Sequence, residues 1–260
     1  MHICKIMPQS HISHQFSSPI WRLEIDNLKD VIVAETRDAA EKQVHFAAID
    51  LKTGNVYFDN FQTEERWLTG IEAAYDGVLL IHNYQNESGP AHKGLIAVNE
   101  TSGDVLWMNY NLSFDYLSIN GPVCYDARFQ PRKLVLTDIK TGATIRPYEP
   151  SIDLELANGI VLPEEQTDEI VLAMHLPATA VQNSVHYVEH YNLRIVSLHA
   201  ITAGVLQQRL YVMQGADIVF EDLLNTDIQK LQPESFLLYK HYLIYLKNRS
   251  QLRVLNLNEV

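Results

Sequence analysis

The segment His186-Tyr187-Val188-Glu189-His190 has the H-x-x-E-H spacing of inverted zinc peptidases. That chemistry needs a helix, which puts two histidines four residues apart on one face, where both reach a Zn²⁺ ion beside a catalytic glutamate. The flanks read otherwise. Residues 184–188 and 191–196 are rich in β-branched and aromatic side chains. On a strand His186, Val188 and His190 share one face and Glu189 points away. A surface strand or loop is expected, and His186 and His190 stay weak metal candidates only. His11-Ile12-Ser13-His14 falls in an expected N-terminal tail. Glu164, Glu165, Asp168 and Glu169 form an acidic cluster without the alternating ligands of a calcium loop, so a solvated face is expected. No G-x-G-x-x-G, Walker loop or G-x-S-x-G occurs, and no catalytic residue, metal or cofactor is assigned.

The elements that must carry these residues show in a repeat. Ala48-Ile49-Asp50-Leu51-Lys52-Thr53-Gly54, Ala97-Val98-Asn99-Glu100-Thr101-Ser102-Gly103 and Leu136-Thr137-Asp138-Ile139-Lys140-Thr141-Gly142 share one pattern, and Leu198-His199-Ala200-Ile201-Thr202-Ala203-Gly204 is a degenerate fourth copy. An Asp or Asn side chain accepts from the backbone two residues on, and the glycine supplies a positive φ at the hairpin exit. Spacings of 49, 39 and 62 residues separate Gly54, Gly103, Gly142 and Gly204. A β-propeller blade takes about 40–50 residues for four strands. The third spacing holds an insertion or a degraded blade.

Apolar runs at 31–34, 78–81, 122–125 and 170–173 precede the turns and read as strands covered on both faces. Trp21, Phe58 and Trp107 recur near the turns and read as packing between blades. The C-terminal runs 242–246 and 252–257 lack the strand that follows a turn, and residues 17–23 supply it. Pairing of N- and C-terminal strands would close the ring and remove its exposed edges. A small all-β propeller of five blades is expected, with six the alternative if residues 151–169 add strands. Residues 1–16 form a tail and residues 17–260 one domain. A short helix or loop is expected over 222–231, ended by Pro233.

The turn sequences A-I-D-L-K-T-G-N-V-Y-F, A-V-N-E-T-S-G-D-V-L-W and L-T-D-I-K-T-G-A-T-I resemble the PQQ-like repeats of quinoprotein-dehydrogenase-like propellers. The resemblance covers residues 17–146 best. The whole chain also resembles a bacterial family known only as a domain of unknown function. The resemblance implies a fold and not an activity. The quinone enzymes are much larger, and they use an acidic Ca²⁺ site and often a vicinal disulfide. Here Cys4 and Cys124 are far apart, so no catalytic residue carries over. The exported lipoprotein branch needs an apolar leader before a cysteine, which Cys4 lacks.

Composition excludes other classes. Lys plus Arg is 20 and Asp plus Glu is 32, a net charge of −12. With no basic patch, no nucleic-acid partner is expected. No apolar run is long enough to insert in a membrane, and none near the N-terminus suits a signal peptide, so a cytoplasmic location is expected.

Two functions remain open. One is a non-catalytic module that binds a protein partner. The other is a small-ligand or carbohydrate binding protein, or a hydrolase, using the central channel. Convergence of Asp30, Asp76, Asp126 and His241 at one channel mouth would favour the ligand, and an apolar patch on the rim would favour a protein. The loop from Tyr84 to His92 and the off-repeat Trp67 are further binding candidates.

Overall fold

In the computed structural model the first strand, β1 (Ile12–Gln15), lies antiparallel to the last, β22 (Gln251–Asn256), with Ile12 opposite Val254. The structure describes residues 10–87, 89–167, 171, 175–232 and 236–260. The partner of the C-terminal strand is therefore residues 12–15, from the expected tail, and not residues 17–23. Ile12 and Phe16 are the reason, since both are buried.

The chain forms two compact units, residues 18–158 and residues 10–17 with 159–260. The first contains three four-stranded antiparallel sheets. They are β2 (Ile20–Asp26), β3 (Val31–Asp38), β4 (Gln43–Asp50) and β5 (Val56–Phe61); β6 (Thr69–Tyr75), β7 (Val78–Tyr84), β8 (His92–Asn99) and β9 (Val105–Asn109); and β10 (Leu112–Ser118), β11 (Gly121–Asp126), β12 (Leu134–Thr137) and β13 (Thr144–Pro147). Strands neighbour in sequence order. The second strand of each sheet is the apolar run seen in the sequence, and Ile32, Val33, Leu79, Leu80, Val123 and Cys124 are all buried within them.

The three repeat turns form as their chemistry dictates. Asp50 Oδ1 accepts from Lys52 and Thr53 N–H at 2.8 Å each, and Asn99 and Asp138 make the same pair of bonds. Gly54, Gly103 and Gly142 close the turns at φ of 72°, 75° and 72°. The second and third turns each receive an aromatic ring from the sheet before. Phe58 of β5 rests on Gly103, and Trp107 of β9 rests on Gly142. Trp107 thereby joins the core of Val78, Leu80 and Ala97 to Ile139 of the following sheet. Trp21 departs from this pattern. It falls where the β2–β3 register slips, is 66 % exposed and lies beneath the Arg37 guanidinium.

The second unit holds two five-stranded sheets. One runs β15 (Glu164–Thr167), β16 (Ser184–His190), β17 (Leu193–Thr202), β18 (Val205–Gln214) and β19 (Asp217–Thr226). The other is β1, β22, β21 (Tyr242–Lys247), β20 (Phe236–Tyr239) and β14 (Ile160–Val161). Among the described residues there are thus five sheets, and β14 and β15, from the stretch expected to begin a sixth, join existing ones. The apolar run 170–173 lies outside the described residues except for Val171.

The fourth turn differs from its copies. Ala200, which has no side-chain acceptor, stands where they have Asp or Asn, and the strands pair straight past it to Thr202 opposite Val205. His199, one residue earlier, accepts from Gln232 N–H at 3.0 Å. Of the short helix or loop expected over 222–231, residues 222–226 are strand instead. Phe220 and Leu224 are buried on one face, and Asp222 between them meets Tyr245 and Lys247, which makes the segment the strand β19. No helix of the described residues is long and apolar enough to cross a membrane.

Candidate functional site

Asp30 and Asp76 occupy equivalent places in successive sheets, the turn between first and second strands, at φ of 58° and 47°. Both meet lysines. Asp30 takes Lys52 at 3.0 Å, and Asp76 takes Lys140 at 2.6 Å and Lys29 at 3.2 Å. The Lys140 bond leads in holding the Asp76 carboxyl below its ordinary range. Asp126 lies at the opposite end of its sheet, where Arg128 forks onto it at 2.6 Å and holds it down at about 2. The structure thus brings Asp30 and Asp76 to one end of their unit and leaves Asp126 at the other. His241 occupies the β20–β21 turn of the second unit and packs on Tyr242. His186 and His190 sit on strand β16, paired with Ser197 and Leu193, and Glu189 faces Arg194 in register. The inverted-peptidase geometry is therefore absent. In the acidic cluster, Glu164 and Glu165 belong to β15, while Asp168 and Glu169 lie outside the described residues.

Beneath Asp76 lies a buried carboxyl pair. Asp26 Oδ1 accepts from Leu28 and Lys29 N–H, and its Oδ2 from Gly77 N–H at 2.6 Å. Glu100, fully buried, lies against it. Burial first, then the Asp26 charge, pushes the Glu100 carboxyl up to about 9. It is held protonated and donates to Asp26. As a carboxylate, neither of its oxygens would find a donor. Glu100 stands where the other repeat turns place Leu51 and Ile139, both buried. A cavity of about 440 Å³ opens above it, lined by Lys29, Tyr57, Asp76, Glu100 and Lys140.

A second cluster spans three adjacent strands of one sheet. Glu72 on β6, His82 on β7 and His92 on β8 bring three ligand atoms within 4.8 Å of one another. Glu72 is the residue at which the β6–β7 register slips, a bulge that re-aims its side chain. Asp115 of β10 falls at the same slip in the next sheet. His92 Nδ1 stands 2.7 Å from Glu72 Oε1, and His82 Nδ1 stands 3.4 Å from it. The two imidazoles stack at 3.5 Å, 7° from parallel, and Tyr84 packs edge-on against both. Burial raises the Glu72 pKa above its ordinary value and lowers that of His82 to about 3. Glu72 also lines a cavity of about 210 Å³ with Glu24, Asp115, Tyr116 and Glu155.

Of the sequence candidates, Tyr84 and His92 therefore meet. Trp67 does not join them; it packs on the core of the first two sheets and under Arg37, whose guanidinium is 5.3 Å from its ring. Glu72, His82 and Glu100 were missed. Glu100 carried a signal, a glutamate in an aliphatic repeat position. His82 carried a weaker one, at the end of the Val78–Ile81 run. A bulge residue such as Glu72 leaves no local trace.

Comparison with known proteins adds the following. A family described as Domain of unknown function (DUF4905) matches residues 25–107. No curated protein matches the chain. Among solved structures, the beta-propeller domain of the Trilobed protease from Pyrococcus furiosus, which has an open velcro topology, is similar at 10% identity and a TM-score of 0.34, over 92% of this chain and 79% of that one. Raptor from Chaetomium thermophilum is similar at 9% identity and a TM-score of 0.27, over 98% of this chain and 30% of that one.

Proposed function

We propose that this chain is a non-catalytic, cytoplasmic five-bladed propeller of PQQ-like blades, one domain that includes β1 (Ile12–Gln15), and that it binds an extended segment of a protein partner. The propeller reading is supported by the repeated seating of Phe58 on Gly103 and Trp107 on Gly142, a contact that any number of successive blades can continue. The cytoplasmic reading is supported by Cys124, a free thiol buried beside Leu95 and Leu112.

The observation that carries the binding reading is the exposed apolar edge of β9. Val105, Leu106 and Met108 of this edge strand and Tyr110 just past its end are 41–52 % exposed, and the edge leaves backbone groups free for strand addition. Beside it lies a groove of about 410 Å³ lined by Phe61, Ile96, Val105, Met108 and Tyr110, with Glu64 and Glu65 at its margin. Backbone N–H groups of Trp67 and Leu68 hold the Glu65 carboxyl below its ordinary range, so it stays ionised. The groove therefore suits an apolar segment flanked by Lys or Arg. Asp30 and Asp76, each satisfied by lysine, do not favour a ligand at that turn.

The test is fluorescence anisotropy with synthetic peptides of alternating valines, flanked by lysines or by glutamates. Tighter binding of the lysine-flanked peptide, lost in Met108→Glu, is expected. Equal binding of both peptides, or binding unchanged in Met108→Glu, overturns the reading. The second reading, a small ligand at the channel, draws on the carboxylates of Glu24, Glu72, Asp115 and Glu155 around one cavity, which suit a cationic group. A diamine that raises the melting temperature while the peptides do not would favour it.

A further inference from the structure

We propose that Glu72, His82 and His92 bind one divalent transition-metal ion, of the Zn²⁺ class, through Glu72 Oε1 and the two imidazole Nδ1 atoms. Two neutral imidazoles and one carboxylate are a donor set suited to Zn²⁺. With bonds of 2.0–2.1 Å, tetrahedral ligand atoms stand about 3.3 Å apart. The distances of 2.7 and 3.4 Å from Glu72 Oε1 to the two Nδ1 atoms bracket that spacing.

His82 is the second, independent observation. It is 2 % exposed, and neither ring nitrogen has a hydrogen-bond partner. A buried imidazole with both nitrogens unsatisfied costs stability without return unless something else uses it. Its place is cleared by Gly70, where a β-carbon would sit 3.1 Å from His82 Cε1 and 3.2 Å from Nε2. The ligands stand on three neighbouring strands, a rigid frame. The nearby cations are already engaged, Arg22 by Glu24 and Arg37 by Glu35, each at 2.6 Å. Ligation requires the stacked rings to splay until their lone pairs converge. His92, at the end of β8 and half-buried, is the ring that turns. No residue is shared with the β9 groove, so the two proposals stand or fall separately.

The test uses the full chain, stripped with chelator and titrated with CoCl₂ and then ZnCl₂. One Co²⁺ per chain with the visible absorption of a four-coordinate ion, displaced by one Zn²⁺, is expected. His92→Ala and Glu72→Gln should each weaken Zn²⁺ binding by about 100-fold or more. The double variant His186→Ala/His190→Ala should leave it unchanged. Imidazole NMR of the unsubstituted chain needs no variant to fold, and the His82 and His92 resonances should shift at one equivalent of Zn²⁺. No Zn²⁺ uptake below 1 mM, on the order of ordinary surface affinity, would overturn the proposal. So would uptake insensitive to Glu72→Gln and His92→Ala, or NMR shifts confined to other histidines.

Discussion

Trp107 covers Gly142 so closely that a β-carbon there would stand 2.7 Å from Cδ2 of the indole, while the indole N–H donates to the Ile139 carbonyl at 2.8 Å. Gly142 therefore answers two demands at once, a φ of 72° and the absence of a side chain. Gly204 meets only the first, since it has φ of 80° and a β-carbon added there would find nothing within 4 Å. Gly142→Ala should cost about 3 kcal/mol or more, because the ring must move as well as the backbone strain. Gly204→Ala should cost about 1 kcal/mol. Urea denaturation of the two variants checks this, and equal losses would show that the ring contact contributes little.

The Glu100 carboxyl makes stability fall as pH rises. Its folded pKa of about 9 lies above the ordinary glutamate value, so the folded chain keeps a proton that the unfolded chain releases. Below the ordinary value both states are protonated and the group costs nothing. Between there and about 9 stability declines, by up to about 1.4 kcal/mol per pH unit, and above about 9 the decline stops. Glu100→Gln keeps a neutral donor toward Asp26 and should abolish this slope. Urea midpoints of the two proteins should nearly coincide at pH 4.5 and diverge by pH 8, with the variant more stable. A constant difference across that range would rule out a protonated Glu100.

Arg37 holds Glu35, whose side chain is 2 % exposed, at 2.6 Å, and its guanidinium lies within 5.5 Å of the rings of both Trp21 and Trp67. It also donates to the carbonyls of Trp67 and Thr69. Arg37→Ala would leave Glu35 buried with only the Ile71 N–H. A loss of about 3–5 kcal/mol is expected, as for a broken buried ion pair. The exposed pair Lys140–Asp76, removed by Lys140→Ala, should cost less than about 1 kcal/mol and lose its effect in salt. Similar losses for the two variants would contradict the burial argument.

What the sequence made legible follows the range of the interactions. The turns of Asp50, Asn99 and Asp138 are closed by bonds to residues two and three positions on, so their spacing alone exposed three sheets. Trp107 and Phe58 were legible because they repeat with the turns. The fourth copy misled, since Ala200 occupies its Asp position and has no side chain to close the turn. Glu72, His82 and His92 are separated by ten positions at each step and meet only through strand pairing and two bulges, at Glu72 and at Gly94. No local pattern encodes such a meeting. Trp21 misled in the opposite way, because a register slip turned a repeat-like aromatic outward.

The pairing of β1 with β22 yields the last expectation. Four residues, Ile12 to Gln15, cover the edge of β22, and Ile12 and Phe16 are buried beside it at 4 % and 5 % exposure. His11 and His14 add ring contacts to Tyr242 and Phe16. Burying two large apolar side chains contributes roughly 1.5–3 kcal/mol each. Removing residues 1–16 should therefore lower stability by several kcal/mol, on the order of their sum, and expose β22 as a free edge prone to pairing between chains. Size-exclusion chromatography should show concentration-dependent association that the full chain lacks. Supplying residues 10–17 as a peptide should suppress that association and restore part of the melting temperature, because the peptide can take the place of β1. A shortened chain that stays monomeric with an unchanged melting temperature would show that these residues add no stability to the sheet.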